Sequence, residues 1–458
     1  MEKNNLLKQI IIFGATGDLA SLMLFPAIYE LFVQNQLSGK FQIIGYGRSP
    51  LSQEEFGKRF SESVTKKSAH KLEKLPELIE SVSYFAGQYN DPSDFEKLDK
   101  YLMELAAGQE REVVAYFSVP PVVFGDIVKN LALSSKKTAA KVKLVLEKPF
   151  GVDEKSAEKL LAEIGQYYEQ EEVFLLDHYL GKRPIQSILK LRMENNVVNL
   201  MIRPEEIAKI TIIADEQNDV GQRVGYYDQV GCMKDMVQSH LLQILALITM
   251  DIPVKSDTES LHREKNNILS AVRFSGKTED IVFGQYESYK TLEGIAENSQ
   301  TDTYAELKLQ IDRRDWFNVP VYIRSGKKLD KVSTQAIIEF KKMPIQGQKA
   351  ASNQLVFEIK PQETLKLKLI QRRTDFRDSE SEEFEEIELE QGLMCRSDLC
   401  LGAYASLIND VLLGERRFFL SFSEIISAWK VVDSVEKIRS EIKLNYYPDG
   451  SSGPAKLG

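Results

Sequence analysis

Five short runs of branched and aromatic residues, at 9–13, 41–45, 113–118, 143–147 and 173–177, are each closed by a polar or Gly/Pro break and separated by longer stretches of helical spacing. Strands that are apolar on both faces and alternate with helices must lie in a parallel sheet, because each crossover lays a helix over one of its faces. The first 178 residues therefore read as a nucleotide-binding α/β sheet. Beyond 178 the rhythm changes. A helical stretch at 228–250 is followed by alternating runs at 319–324, 335–340 and 355–359, and alternation implies an antiparallel sheet with one wet face. Helical spacing returns at 402–432, and 446–454 is rich in turn residues. The expected architecture is a doubly wound parallel sheet over 1–177, then a larger α+β domain with a mostly antiparallel sheet over 178–458.

The chain has 458 residues, with 59 Lys+Arg against 68 Asp+Glu, a formal charge of −9. That balance argues against a general nucleic-acid or membrane-surface binder. The apolar stretch at 9–14 is far shorter than a signal-peptide core, and the run at 241–250 is about half a membrane span, so no leader and no bilayer crossing are expected. Cys232, Cys395 and Cys400 are too few for a disulfide framework, and the last pair lacks companion zinc ligands; a reducing cytoplasm fits. Most of the negative charge is local. From Asp375 to Glu390 there are nine carboxylates and one arginine, and Phe384-Glu385-Glu386-Ile387-Glu388-Leu389-Glu390 reads as a strand with a solvated acidic face. An anionic substrate is therefore compatible with the rest of the chain.

The first strand runs into Gly14-Ala15-Thr16-Gly17-Asp18-Leu19-Ala20 and a helix. Gly14 permits the tight turn, Gly17 lets backbone N–H groups approach a pyrophosphate, and small Ala20 allows close helix–strand packing. The second strand closes with Gly45-Tyr46-Gly47-Arg48 and no carboxylate. NAD-preferring sites place an acid there for the ribose 2′-hydroxyl, whereas Arg48 suits a 2′-phosphate, a charge-assisted contact worth roughly 1.5–3 kcal/mol. NADP is thus the expected cofactor. Two later strand ends carry Glu147-Lys148-Pro149-Phe150-Gly151 and Asp177-His178-Tyr179-Leu180-Gly181-Lys182. Ligand sites of parallel sheets lie beyond the carboxyl ends of the strands, so charged residues there are placed for function. Further on, Gly225-Tyr226-Tyr227-Asp228 precedes Asp235 and His240, which on an α-helix stand about 140° apart and so line adjacent edges of a pocket. His70 and His262 lie in charged stretches and are expected at the solvated surface.

These strings, with Tyr322-x-Arg324-Ser325-Gly326-Lys327, Ala428-Trp429 and Gly450-Ser451-x-Gly453-Pro454, occur in the order seen in glucose-6-phosphate dehydrogenases, and the chain resembles that family over nearly its whole length. The resemblance implies a Rossmann-type first domain, a homodimer formed through the large sheet of the second, and oxidation of glucose 6-phosphate at C1 to a lactone with hydride transfer to NADP. By the same resemblance, Gly14 to Leu19 and Arg48 would bind the cofactor. His240 would be the general base, with Asp177 orienting it. His178, Tyr179 and Lys182 would hold the 6-phosphate, and Glu216, Asp235 and Lys327 sugar hydroxyls or the phosphate edge. Lys148 would sit between cofactor and sugar.

Some positions depart from the family pattern. Met23 stands where the family carries a lysine facing sugar and nicotinamide, Leu175 where arginine is common, Ser239 where asparagine is usual, Gly221 where glutamate is frequent, and Val332 at a second basic position. These departures motivate two other readings: the same oxidation on a different sugar, and a non-catalytic paralogue that binds cofactor or sugar phosphate. Lys148, Lys182, Arg324, Lys327, Lys328 and Lys331 are the cations expected about the pocket.

Overall fold

The computed structural model describes residues 6–37, 40–135, 140–221, 224–342, 352–372, 384–393 and 400–457. Its internal contacts divide the chain into two compact units. The first comprises Met1–Gly151, Lys155–Lys182 and Arg396–Phe422, the second Val152–Glu154, Arg183–Cys395 and Ser423–Gly458. The main break follows Lys182, close to the change of rhythm at 178. The division is not contiguous, however, because a late segment returns to the first unit.

The first unit is built on β1 (Leu7–Phe13), β2 (Phe41–Gly47), β3 (Val82–Ala86), β4 (Arg111–Phe117), β5 (Lys141–Glu147) and β6 (Val173–Leu176). All neighbours pair in parallel, in the order β3-β2-β1-β4-β5-β6. Five strands lie where the apolar runs predict them. β3 is the exception: Val82-Ser83-Tyr84-Phe85-Ala86 sits at the sheet edge, only Tyr84 in it is fully buried, and it carries no continuous apolar signal. The order reverses between β1 and β4, the position at which open parallel sheets bind their ligands.

The late segment is stitched firmly to this sheet. In its helix Ala403–Leu413, Ala405, Leu407, Ile408 and Val411 join Ile10, Ile12, Val114 and Val145 in one apolar core. Phe419 meets Phe174 of β6 edge-on, with centroids 5.0 Å apart, and the Leu420 N–H donates to the Leu175 carbonyl at 2.9 Å. Leu175 is fully buried, so the position where the family carries arginine is here part of the core.

The second unit holds β7 (Ile207–Asp215), β8 (Val272–Phe274), β9 (Ile281–Tyr286), β10 (Tyr304–Ile311), β11 (Val321–Gly326), β12 (Ser333–Phe340), β13 (Gln354–Lys360), β14 (Thr364–Arg372), β15 (Phe384–Gly392) and β16 (Leu444–Tyr447). Its sheet runs β15-β14-β13-β12-β7-β11-β10-β9-β16, with β8 on β10. It is mostly antiparallel, but β7–β11 and β9–β16 are parallel pairs.

The acidic strand is β15, and its face is not merely solvated. Lys366 on β14 lies 3.1–3.4 Å from Glu358, Glu388 and Glu390, and Lys368 lies 3.0 and 3.5 Å from Glu386 and Glu388. Hydrogen bonds donated to these carboxylates hold both ammonium groups above the ordinary lysine range. Residues 375–383 of the acidic stretch, and Cys395, lie outside the described residues. Cys232 is a buried free thiol, whereas Cys400 is disulfide-bonded, a link that three scattered cysteines did not announce. Among the described residues, no helix is long and apolar enough to cross a membrane.

If the segment Arg396–Phe422 is part of the first unit's core, Leu407→Ala will cost about 2–5 kcal/mol, the range for a buried leucine that leaves a cavity. Denaturant unfolding of the full chain measures this; a loss below about 0.5 kcal/mol would mean the segment is only loosely attached.

Candidate active site

In the first unit the loop after β1 is shaped by close backbone approach. Gly14 has φ +80°, and a Cβ there would collide with the carbonyl oxygen of Ser118 at the end of β4. The N–H groups of Gly14 and Ala15 both donate to the Tyr46 carbonyl, at 2.9 and 3.2 Å, and Gly17 N–H donates to the Gly14 carbonyl at 2.9 Å. The helical run then starts at Asp18 and becomes π-helical over Ala20–Leu24. Thr16 lies beside Gly47 at the end of β2. The next residue, Arg48, is exposed, forms no ion pair among the described residues, and lies 5.8 Å from the Tyr89 ring centroid. The fold thus gathers Gly14, Ala15, Thr16, Gly17, Asp18, Leu19 and Arg48 at the carboxyl edge of β1 and β2, the edge at which parallel sheets bind ligands.

β5 and β6 end in the other two motifs of this unit. Lys148 precedes Pro149 across a cis peptide bond. After β6 the chain folds into a tight turn: Asp177 Oδ1 accepts from Tyr179 N–H at 2.9 Å, the Asp177 carbonyl from Leu180 N–H at 3.0 Å, and the Tyr179 carbonyl from Lys182 N–H at 2.9 Å. The Lys182 ammonium lies 3.1 Å from the Tyr179 ring centroid. Gly181 is required by packing, since a Cβ would stand 2.5 Å from the Ala403 carbonyl oxygen and 2.8 Å from Leu407. The imidazole of His178 stacks on Tyr404, with centroids 6.2 Å apart and planes within 7°.

The second unit assembles a different set. β7 and β11 pair in parallel with Asp215 opposite Gly326, so Glu216 and Lys327, one residue beyond each strand, stand side by side and form an ion pair. The Lys327 ammonium is also 5.4 Å from the Tyr227 ring centroid. Arg324 is engaged elsewhere: it donates to both oxygens of buried Asp215, at 3.2 and 2.7 Å, and so belongs to the support of this strand pair. Lys328 likewise faces Asp219 at 3.4 Å. Gly221 has φ +56°, a left-handed conformation that glycine adopts without strain, and Val332 is partly exposed.

The helix expected at 228–250 is three pieces. Val224–Cys232 is interrupted at Gly231 (φ 68°, ψ 176°), Met233–Leu241 is π-helical, and Leu242–Thr249 is α-helical. This corrects the geometry of Asp235 and His240. With i→i+5 hydrogen bonds, residues five apart come nearly one above the other, so the two share a face instead of standing 140° apart. Both are buried, and the segment packs against β7 and β11, whose ends present Glu216 and Lys327. Ser239 donates back to the Asp235 carbonyl at 3.1 Å. His262, expected at the surface, is buried in Thr258–Leu269, and His70 is half-buried.

Two residues with no role assigned from sequence stand beside the first unit's motifs. Tyr404 arrives from the late segment, more than 220 residues beyond His178, and only its place in the first turn of an apolar helix could have drawn attention to it. Glu147 sits inside a motif that drew attention to its neighbours. Its carboxylate is buried, accepts the Tyr116 hydroxyl at 2.5 Å, and hydrogen-bonds Tyr404.

The family model described as glucose-6-phosphate dehydrogenase, NAD binding domain, matches residues 11–187, and that described as the C-terminal domain of glucose-6-phosphate dehydrogenase matches 189–458. The chain is 31% identical to glucose-6-phosphate 1-dehydrogenase of Schizosaccharomyces pombe, covering 98% of this chain and 92% of the relative. It is also 31% identical to the chloroplastic glucose-6-phosphate 1-dehydrogenase of Spinacia oleracea, covering 97% and 81%. Among solved structures, a glucose-6-phosphate dehydrogenase in complex with its substrate glucose-6-phosphate is similar with a TM-score of 0.90 at 30% identity, covering 99% of this chain and 96% of that one. The enzyme from Mycobacterium avium gives 0.86 at 28%, covering 98% and 95%.

Burial pushes the Glu147 carboxyl up to about 7; the nearby Asp177 charge adds to the rise, and hydrogen bonds from Tyr116 and Tyr404 with the Lys148 charge oppose it. A carboxyl with a raised folded pKa favours its protonated form. Its contribution to stability is present below the unfolded value near 4.5 and is lost as pH rises through 7. Glu147→Gln, which cannot ionise, will therefore gain on the wild type by on the order of 2 kcal/mol between pH 5 and 8. Denaturant unfolding at the two pH values measures it, and parallel pH trends in both proteins would refute the assignment.

Proposed function

The chain belongs to the glucose-6-phosphate dehydrogenase family, and on that premise we propose that it oxidises glucose 6-phosphate at C1 to 6-phosphoglucono-lactone with NADP as hydride acceptor. The residues of the first unit fit that cofactor: Gly14 lets the loop turn tightly against Ser118, the helical run starts just beyond it at Asp18 with first N–H groups that lack intrahelical partners, and Arg48 is exposed at the end of β2. When bound, the nicotinamide supplies the site that accepts hydride. Lys148 lies between cofactor and sugar and steadies both by charge.

His240 takes the proton from the C1 hydroxyl, which makes hydride departure from C1 easier, and Asp177 orients the imidazole and stabilises its protonated form. His178, Tyr179 and Lys182 hold the 6-phosphate. The stack of His178 on Tyr404 and the seat of Lys182 over Tyr179 support that role, since groups already held in place lose little freedom on binding. Glu216, Asp235 and Lys327 hold sugar hydroxyls and the phosphate edge, and the Glu216–Lys327 pair keeps both side chains extended for it.

The observation that carries this reading is the placement, within the second unit, of buried His240 and Asp235 on one face of a segment packed against the two strands that present Glu216 and Lys327. A base among polar groups of alternating sign suits a polyhydroxylated substrate. Cytoplasmic isoforms among the relatives support a cytoplasmic location, and family membership supports a homodimer formed through the ten-stranded sheet, whose edge strand β15 leaves Leu389 exposed. Met23 is 42% exposed on the segment after the glycine loop, an apolar group where the family places lysine. It favours a second reading, the same oxidation on another sugar, which a panel of hexose phosphates and free sugars decides.

Mixing protein, NADP and glucose 6-phosphate will yield NADPH absorbance, and His240→Asn will lower kcat by ~10²–10⁴. Turnover no greater than in that variant would sink the proposal. Arg48→Ala will narrow the preference for NADP over NAD by about ten- to a hundredfold in kcat/KM, and an unchanged ratio would remove Arg48 from the 2′-phosphate site.

A further inference from the structure

The segment that carries Asp235 and His240 does not continue smoothly from the helix before it. The chain breaks at Gly231, whose φ of 68° and ψ of 176° turn the backbone out of the helix, and the helical run restarts at Cys232 and Met233. A helix that begins at such a break leaves its first N–H groups without intrahelical partners and its rotation unset by the preceding turn. Something outside the helix must supply both.

Asp302, in the loop before β10, does so. Its carbonyl accepts the Cys232 N–H at 2.8 Å, and its Oδ2 accepts the Met233 N–H at 2.8 Å. A Cβ on Gly231 would stand 2.5 Å from Asp302 Oδ1, so the break and the carboxylate fit only because residue 231 is glycine. Asp302 is itself held. Arg439 donates to its Oδ1 at 2.9 Å and to the Gln300 carbonyl at 3.2 Å, while the guanidinium lies 3.7 Å over the Phe283 ring. The neighbouring residues tie the other side of the break: Ser299 and Tyr289 donate to Asp228 Oδ1 at 2.7 and 3.0 Å, and Thr301 to the Asp228 carbonyl at 2.7 Å. Thr303 N–H donates to the Gly284 carbonyl, and the Thr303 carbonyl accepts Lys327 N–H, at 2.8 and 2.9 Å. Residues 299–303 thus fix the start of the segment, the end of the preceding helix and the backbone of Lys327 together.

We infer that Asp302 is a positioning residue for His240, acting through the first turn of Met233–Leu241 with Arg439 as its anchor. The inference rests on the reading of His240 as the general base. A negative carboxylate at a helix start satisfies the free N–H groups and complements the helix dipole, so it sets how far the segment is rotated and how deeply it is seated. Misplacement of a reacting group by about 1 Å can cost on the order of 10²-fold in rate, whereas the proposed phosphate ligands in the first unit do not depend on this turn.

The test measures kcat and KM for glucose 6-phosphate and NADP in full-length Asp302→Ala, Asp302→Asn and Arg439→Gln, each in wild-type and His240→Asn backgrounds. Asp302→Ala will lower kcat by about 10- to 100-fold, with a smaller rise of up to about tenfold in KM for the sugar phosphate because Asp235 shares the segment while the proposed phosphate ligands of the first unit do not. Asp302→Asn, whose amide oxygen can still accept the Met233 N–H, will recover kcat to within about fivefold of wild type. In the His240→Asn background, Asp302→Ala will produce no further loss, because the residue it positions is gone. An equal fold-loss in both backgrounds, or a folded Asp302→Ala with kcat within about twofold of wild type, overturns the inference. Retention of wild-type kcat by His240→Asn alone overturns the base assignment instead. If Asp302→Ala does not fold, Arg439→Gln decides: a loss of kcat of about threefold or more that vanishes without His240 supports the role, and an unchanged kcat removes it.

Discussion

Both units of this protein depend on one constraint: in each, an oxygen approaches the chain so closely that only glycine can stand there. At Gly14 the partner is the carbonyl of Ser118, and the approach joins the exits of β1 and β4 where the strand order reverses. At Gly231 the partner is Asp302, and the approach lets a carboxylate reach the first N–H groups of the segment bearing His240. Gly181 repeats the device against the Ala403 carbonyl. In every case the missing side chain makes room for an oxygen that a Cβ would meet.

Charge is distributed by the same local logic. The formal −9 describes the protein poorly, because much of it lies in and before β15, where Lys366 and Lys368 meet the glutamates across the sheet. Cross-strand pairs of this kind are screened by solvent and contribute modestly, so they favour register more than stability. The cations proposed to bind ligands are handled differently. Lys182 is seated on an aromatic ring, Lys327 is matched by Glu216 and faces Tyr227, and Arg48 stands exposed at a strand end. Arg324, which sequence grouped with them, faces a buried carboxylate and supports the strand pair from below.

Legibility followed the range of the interaction. The runs that became β1, β2, β4, β5 and β6 were visible because burial on both faces demands consecutive apolar residues, and β3 was not because an edge strand escapes that demand. The glycine loop and the turn from Asp177 to Lys182 were visible because their backbone geometry is set by a few neighbouring residues. Tyr404 and Asp302 were invisible. Each acts on a motif from far along the chain, and neither carries a local pattern that marks it.

The amino-acid sequence by itself determined the two-part architecture, the dinucleotide loop and the identities of the polar residues at the strand ends, because periodicity and turn chemistry act over a few residues. Tertiary structure alone decided three things. It returned Arg396–Phe422 to the first unit, where its apolar face finds the core. It placed Glu216 beside Lys327 through a parallel pairing of strands more than a hundred residues apart. It also wound Met233–Leu241 as a π-helix, bringing Asp235 and His240 to one face. The spacing of two residues in a sequence does not state the pitch of the helix that will carry them; that pitch is set by what holds the helix at its ends and packs against its side.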